Sequence, residues 1–161
     1  MRTQLIIDTQ QQTLLLLQNG ALFKSYAIST AQKGLGEQKN SFQTPRGWHI
    51  IRAKIGQNQP IYTIFKARRS TKQIYNPKLA AKHPNTDWIL SRILWLSGVE
   101  KFKNRLGNTD TMQRYIYIHG TSDEQNIGKA NSMGCIRMKN SDIIELFDFV
   151  LVGQSVFITY T

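Results

Sequence analysis

Short apolar runs broken by polar turns dominate this chain, and most of them have the length of strands rather than helices. Gln4–Ile7 and Thr13–Gln18 are two such runs on either side of a polar turn. Asn19–Gly20 is a strong hairpin signal, because both residues tolerate positive φ. It leads into Leu22–Ser29, where Leu22, Lys24, Tyr26 and Ile28 alternate with Phe23, Ser25 and Ala27. Trp48–Ile55 and Ile61–Arg68 read as further strands, and Ile89–Leu96 as a strand or a short helix. Tyr115–Ile118 is a short aromatic and β-branched strand running into His119, and Ser155–Tyr160 closes the chain as a last strand. Residues 31–47 and 70–87, punctuated by Gly34, Gly36, Pro45, Gly47, Pro77 and Pro84, read as long connections. Loops of that length in a compact domain are usually functional or mobile.

Helical spacing is clear only over Asp142–Val152, where Ile143, Phe147, Val150 and Leu151 form an apolar stripe. Ser141 is its expected N-cap and Gly153 its C-terminal cap. With no internal repeat, low-complexity segment or linker, residues 1–161 are expected to form a single, mainly β domain with a helix packed on it.

Composition changes this picture in one respect. The apolar share of 40% is ordinary for a globular protein, but the net charge of +11 and a pI near 10.0 are not. Such an excess suits an anionic partner: nucleic acid, a lipid surface or a carboxylate-rich substrate. No aromatic-and-basic motif of the RNA-binding kind stands out in the sequence, so nucleic acid is not the expected partner. One cysteine forms no internal disulfide. The start, MRTQLIIDTQQQ, lacks the apolar core of roughly 7–15 residues that a secretory signal needs. No apolar run reaches membrane-spanning length. With Met1 as the natural start, a cytoplasmic location is expected; a start further upstream would allow a periplasmic one.

The chemistry concentrates in residues 119–138, HGTSDEQNIGKANSMGCIRM. His119 is placed at a strand end, and Cys135 on a glycine turn shortly before the helix. An imidazole beside a thiol can take its proton and later return it to a leaving group. Gly134 allows a sharp bend that turns its amide and that of Cys135 toward a developing oxyanion, and the carbonyl of Gly120 is available to orient the histidine. A lone cysteine is more often a small buried hydrophobe, and the residues alone leave both readings open. His49 and His83 form no pair at ligand spacing with the cysteine, so no metal site is expected.

The run from Tyr115 to Met138 resembles the signature of the L,D-transpeptidase catalytic domain family, a His followed at a distance by Ser-His-Gly-Cys, an apolar residue and Arg or Asn. LIIDTQQQTLLLLQNGALFKSYAIST resembles that family's opening strands, TPRGWHII its Thr-Pro-x-Gly strand start, and ILSRILWLSG a further family segment. The resemblance implies a β-sandwich-like fold with a helix after the cysteine. It also implies Cys135 as nucleophile, His119 as base, Gly120 as orienting carbonyl, and Gly134 and Cys135 amides as oxyanion hole. Ser132 takes the usual Ser or Thr position, and Arg137 one that contacts substrate or shapes the pocket. Met133 departs from the pattern, standing where the family commonly has a second histidine, and is expected to line the pocket. The implied substrates are peptidoglycan stem peptides or muropeptides, attacked at the bond between an L-centre and a D-residue with a thioester on the cysteine and no cofactor. Water as acceptor gives an L,D-carboxypeptidase suited to muropeptide recycling, and an amine gives a transpeptidase. A silent peptidoglycan-binding module is the third possibility.

Overall fold

Period-two burial marks the strands. In β1 (Thr3–Asp8) Thr3, Leu5 and Ile7 are buried while Gln4, Ile6 and Asp8 are half-exposed, and β2 (Thr13–Gln18) alternates in the same way through Leu14 and Leu16. The structure is a computed structural model that describes residues 2–161. Its remaining strands are β3 (Ala21–Ser29), β4 (Gly47–Ile55), β5 (Thr63–Lys66), β6 (Arg69–Ile74), β7 (Ile89–Gly98), β8 (Tyr117–Gly120), β9 (Ile136–Met138) and β10 (Ser155–Ile158). Two α-helices, α1 (Pro77–Lys82) and α2 (Asn140–Phe149), and short 3-10 turns at Gly107–Thr109 and Glu124–Asn126 make up the rest of the regular structure among the described residues. No helix among the described residues is long and apolar enough to cross a membrane.

The strands hydrogen-bond in the order β4-β10-β1-β2-β3-β9-β8-β7, and a further pairing of β7 with β4 closes these eight into a ring. The β5–β6 hairpin hangs from β7 outside it. Most neighbours are antiparallel. The two exceptions are β1 with β10, and β8 with β9. The Asn19–Gly20 turn has φ of 50° and 82°, so the hairpin expected there is present.

Alternation divides the wall between two cores. Leu94, Leu96, Ile118, Ile136 and Met138 turn inward to join Leu5, Ile7, Leu14 and Leu16, and α2 covers them with Ile143, Leu146, Phe147 and Val150. On the other face Ile93, Tyr117 and Phe65 form a second cluster, with Trp95, Ile55, Ile89 and Cys135 packed at its margin. At roughly 25 cal/mol per Å², an aliphatic side chain fully buried this way contributes about 1.5–3 kcal/mol of transfer free energy.

Several expectations need correcting. Residues 70–87 hold β6 and α1 rather than an unbroken connection. Strand β6 is polar on both faces, so alternation could not reveal it; α1 is stabilised locally, with Pro77 in its first turn and the Asn76 side chain accepting from the Leu79 N–H at 3.0 Å. Strand β5 is shorter than Ile61–Arg68, because Tyr62, Ala67 and Arg68 all have positive φ. Residues 89–98 are strand, not helix. Between Cys135 and α2 lies an unexpected strand, β9, three buried residues too short to show a period.

Helix α2 begins one residue before Ser141, with Lys139 at the N-cap position and no side-chain cap. The carboxylate of Glu124 does that work instead, accepting from the Asn140 N–H at 2.7 Å. The helix ends at Phe149, Leu151 is exposed, and Gly153 serves the turn into β10. Buried Asn140 is tied further to Ser91 Oγ at 2.7 Å and to the Thr121 carbonyl at 2.8 Å. Ser141→Ala should therefore change unfolding free energy by under about 0.5 kcal/mol, whereas a cap would cost about 1. Asn140→Ala, which strands buried partners, should cost about 2–3 kcal/mol. Urea denaturation of the two variants separates these outcomes.

Candidate active site

The parallel pairing of β8 with β9 builds the site. Its register sets Ile118 opposite Ile136, His119 opposite Arg137 and Gly120 opposite Met138. Successive side chains alternate faces, so Tyr117 and His119 share one face with Cys135 and Arg137 of the neighbouring segment. Ile118, Ile136 and Met138 take the opposite face and anchor it in the main core. Cys135 and His119 are thus diagonal neighbours, a separation that side chains on one face can span. His119 lies inside the strand, fully buried, not at its end as expected.

Cys135 is half-buried. Its Sγ accepts from the Tyr117 N–H at 3.3 Å and donates to the Tyr115 carbonyl at 3.4 Å. Burial pushes the thiol up to about 12, assisted by the charge of Asp87 and opposed by the Tyr117 N–H, Arg137 and Arg114. The histidine is held in one tautomer: Nδ1 lies 2.7 Å from the Gly120 carbonyl, which can only accept, so Nδ1 carries the proton. Nε2 is left with a free lone pair and no partner in the structure. Burial lowers the His119 pKa, with Asp87 and the Gly120 carbonyl opposing and Arg137 reinforcing. Both shifts favour the uncharged forms of the thiol and the imidazole, and the free Nε2 lone pair suits His119 to take the thiol proton as the sulfur attacks.

Gly120 admits no side chain. A Cβ there would meet the Leu90 carbonyl oxygen at 2.6 Å and the Asn140 Oδ1. The Asn140 carboxamide, fixed by Ser91 Oγ and by the Thr121 carbonyl, packs against this residue, whose own carbonyl orients His119. Gly134 has φ of +126°, which favours glycine, and a Cβ would sit 3.3 Å from the Gln43 carbonyl. Its own carbonyl is held by buried Thr44, whose hydroxyl donates to it at 2.9 Å.

Ser132 acts locally: its hydroxyl donates to the Cys135 carbonyl at 2.5 Å and accepts from the Gly134 N–H at 3.2 Å. The Gly134 amide is thus engaged, and of the expected oxyanion pair only the Cys135 N–H has no acceptor among the described residues. Arg137 is buried and paired with Asp87 at 2.8 Å, with a further bond to the Asn131 carbonyl. Its Nε has no partner. Met133 is exposed and lines two clefts. One, of about 260 Å³, includes Lys39, Phe42, Arg114 and Tyr115; the other, of about 270 Å³, includes Gln32, Lys33, Phe42 and Ser132. Among the described residues no group of three or more His, Cys, Asp or Glu could hold a metal ion.

The sequence reading missed Asp87, Arg114, Thr44 and Asn140. Arg114 donates to the carbonyls of Gly36 and Gln43, at 3.2 and 2.6 Å, binding the 31–47 loop beneath the cleft beside Cys135. Only Thr44 carried a signal, through its place in TPRG. His49, also buried, donates from Nδ1 to the Gly47 carbonyl at 3.0 Å, which leaves Nε2 to accept from the Thr111 hydroxyl at 2.9 Å, and burial lowers its pKa to about 4.

Two pH effects follow. From about pH 6.5 down toward 4 the unfolded chain binds protons that native His49 and His119 resist, so native stability should fall as pH falls through that window. Above about pH 9 the unfolded thiol ionises before the native one, so stability should fall again as pH rises. Chemical denaturation across pH, compared with His49→Gln and Cys135→Ser, checks both signs. Alkylation of native Cys135 by iodoacetamide should rise with pH through 9 without the plateau that a low-pKa thiolate would give.

The chain matches a family model described as YkuD, L,D-transpeptidase catalytic domain, over residues 2–158. It is 50% identical over 42 residues to YqjB of Bacillus subtilis and 55% identical over 42 residues to YkuD of Bacillus licheniformis, each bearing an L,D-transpeptidase name. These segments cover 26% of this chain, and 24% and 26% of the relatives. The fold is similar to an L,D-transpeptidase from Mycobacterium smegmatis, with a TM-score of 0.59 at 17% identity, and to L,D-transpeptidase 3 from Mycobacterium tuberculosis, at 0.58 and 12%. Those alignments cover 98% of this chain but 58% and 60% of the solved chains. A match that runs from β1 through β10 and contains the His119–Cys135 face shows that the chain belongs to the L,D-transpeptidase catalytic domain family.

Proposed function

We propose that this chain is a cysteine acyltransferase that cleaves the L,D bond of a peptidoglycan stem tetrapeptide, with water as acceptor, in the cytoplasm during muropeptide recycling. The observation that carries the chemistry is the placement of Cys135 and of His119, with its Nε2 lone pair free, on one face of the β8–β9 pair. Sγ attacks the carbonyl carbon of the L-residue as His119 takes the thiol proton, and the Cys135 N–H faces the oxyanion. The C–N bond breaks, the proton passes from His119 to the departing D-residue amine, and a thioester remains. His119 then deprotonates water, which attacks the thioester and releases tripeptide and free thiol.

Water is favoured by Met133. Its thioether, exposed beside the nucleophile, cannot hold or deprotonate an incoming ammonium group, whereas hydrolysis needs no help there. Transpeptidation is the second reading. The two clefts that flank Met133 and Phe42 offer separate places for donor and acceptor, and a held amine can outcompete water by proximity.

Cys135→Ala and His119→Ala should each abolish turnover with folding retained, and Met133→Leu should remain active. Gly120→Ala, by displacing the carbonyl that orients His119, should lower kcat on the order of 100-fold. The decisive assay is mass spectrometry of a tetrapeptide stem incubated with enzyme and excess D-methionine. Tripeptide plus free D-alanine as main products supports hydrolysis. Mainly exchanged tetrapeptide reverses the choice of acceptor, and full activity of the Cys135→Ala protein ends the mechanism.

A further inference from the structure

Arg68 stands at the tip of the β5–β6 hairpin, in a two-residue turn where Ala67 and Arg68 have φ of 48° and 63°. Such turns normally use Asn-Gly, and an L-residue other than Asn or Asp is strained in this region. What offsets that strain lies beneath the tip. The Arg68 guanidinium is 4.5 Å from the centre of the Tyr115 ring and 5.0 Å from that of Trp95, and Nη1 donates to the Tyr117 hydroxyl at 2.9 Å. Tyr115 and Tyr117 are the two residues whose backbone groups hold the Cys135 thiol. The hairpin thus lays a cation over the aromatic floor next to the nucleophile.

A clasp for the hairpin would explain one arginine. It does not explain the second: Arg52, exposed on β4, sits 5.4 Å from the centre of the same Trp95 ring. Among the described residues neither arginine has an acidic partner within salt-bridge distance, although Arg46 and Arg137 each have one. Two like charges crowded on one indole without a counter-ion form a site of uncompensated positive potential. With Nη1 engaged by Tyr117, the Nε and Nη2 edge of Arg68 makes no hydrogen bond to the protein, and that edge matches a carboxylate with two parallel bonds. Tyr115, the ring beneath Arg68, also lines the 260 Å³ cleft and accepts from the Cys135 thiol through its carbonyl, which links the arginine to both through one residue.

We propose that Arg68, backed by Arg52, is a specificity subsite that binds a carboxylate of the donor stem peptide away from the scissile bond. This rests on the acyl-transfer reading above. The Tyr115 and Trp95 rings shield part of the planar guanidinium from water, which strengthens its bond to an anion. The subsite selects among stem peptides by whether that carboxylate is free or amidated.

The test measures binding without turnover, by calorimetry on the Cys135→Ala protein. Three peptides are compared: the tetrapeptide with all carboxylates free, and two analogues amidated singly at the second or third residue. Loss of one charge-assisted pair should weaken binding about 10–100-fold. Arg68→Met should do this for the free peptide and for one analogue, and leave the other analogue, already weak, unchanged. Arg68→Lys should recover part of the loss. Arg52→Met, which leaves the hairpin turn intact, should give a smaller loss with the same peptide dependence. Equal loss for all three peptides would mean a structural clasp and overturn the proposal. So would undetectable binding of the free peptide, or Arg68-dependent binding of an RNA oligonucleotide in its place. Turnover by the unsubstituted chain is read separately: its absence alongside carboxylate-dependent binding would remove the acyl transfer and leave the subsite.

Discussion

Everything distinctive about this molecule hangs on a parallel pairing of three residues with three, β8 against β9. Antiparallel neighbours can be joined by a tight turn, but a parallel pair requires a long crossover. Residues 121–135 supply it, and that crossover delivers Cys135 to the edge of the histidine strand. Ile118, Ile136 and Met138 on the inner face fix the register, because a one-residue slip of β9 would turn Ile136 and Met138 toward the cleft and bury Arg137 in the main core. Apolar burial on one side of the sheet therefore decides which polar groups meet on the other.

Burial also sets the chemistry. Desolvation favours the uncharged thiol and the uncharged imidazole, and the charges that could alter this are themselves tied down. Asp87 is held by Arg137, and Arg114 by carbonyls of the 31–47 loop. The loop is accordingly part of the framework: Thr44 fixes the Gly134 carbonyl and, through its hydroxyl, receives the Ala31 N–H. A site assembled this way is rigid in its supports, with the Nδ1 proton fixed by the Gly120 carbonyl and Nε2 left to accept another.

The alternating strands β1 to β4 were legible because one face of each meets the core, and the Asn19–Gly20 turn was legible from its chemistry. His119 and Cys135 were legible because few residue types do such chemistry and these two stood in a glycine-rich setting that resembled a known signature. Strand β9 was not: it is too short to display a period, and it exists because β3 and β8 offer edges on both sides. Strand β6 has no apolar face to show. The start of α2 was misplaced because a side chain distant in sequence, Glu124, does the capping that Ser141 was expected to do. Asp87 and Arg68 looked like ordinary solvated charges, since their partners lie 50 and 49 residues away and no local pattern links them.

Strand β10 is wedged between β1 and β4, so the last residues of the chain form a stave of the ring that its first residues begin. A ribosome making this protein from the N-terminus cannot complete the wall until Ser155–Ile158 has left the exit tunnel. Until then the edges of β1 and β4 stay open, and such edges are prone to pair with other chains. Closure of the ring is therefore expected to wait for β10, with the sequence separation between β1 and β10 slowing it. Because β1 and β10 run parallel, the final residues meet the far end of the first strand, Thr9 hydrogen-bonded to Thr159 and Thr161, so a linker joining Arg2 to Thr161 would have to run the length of that strand.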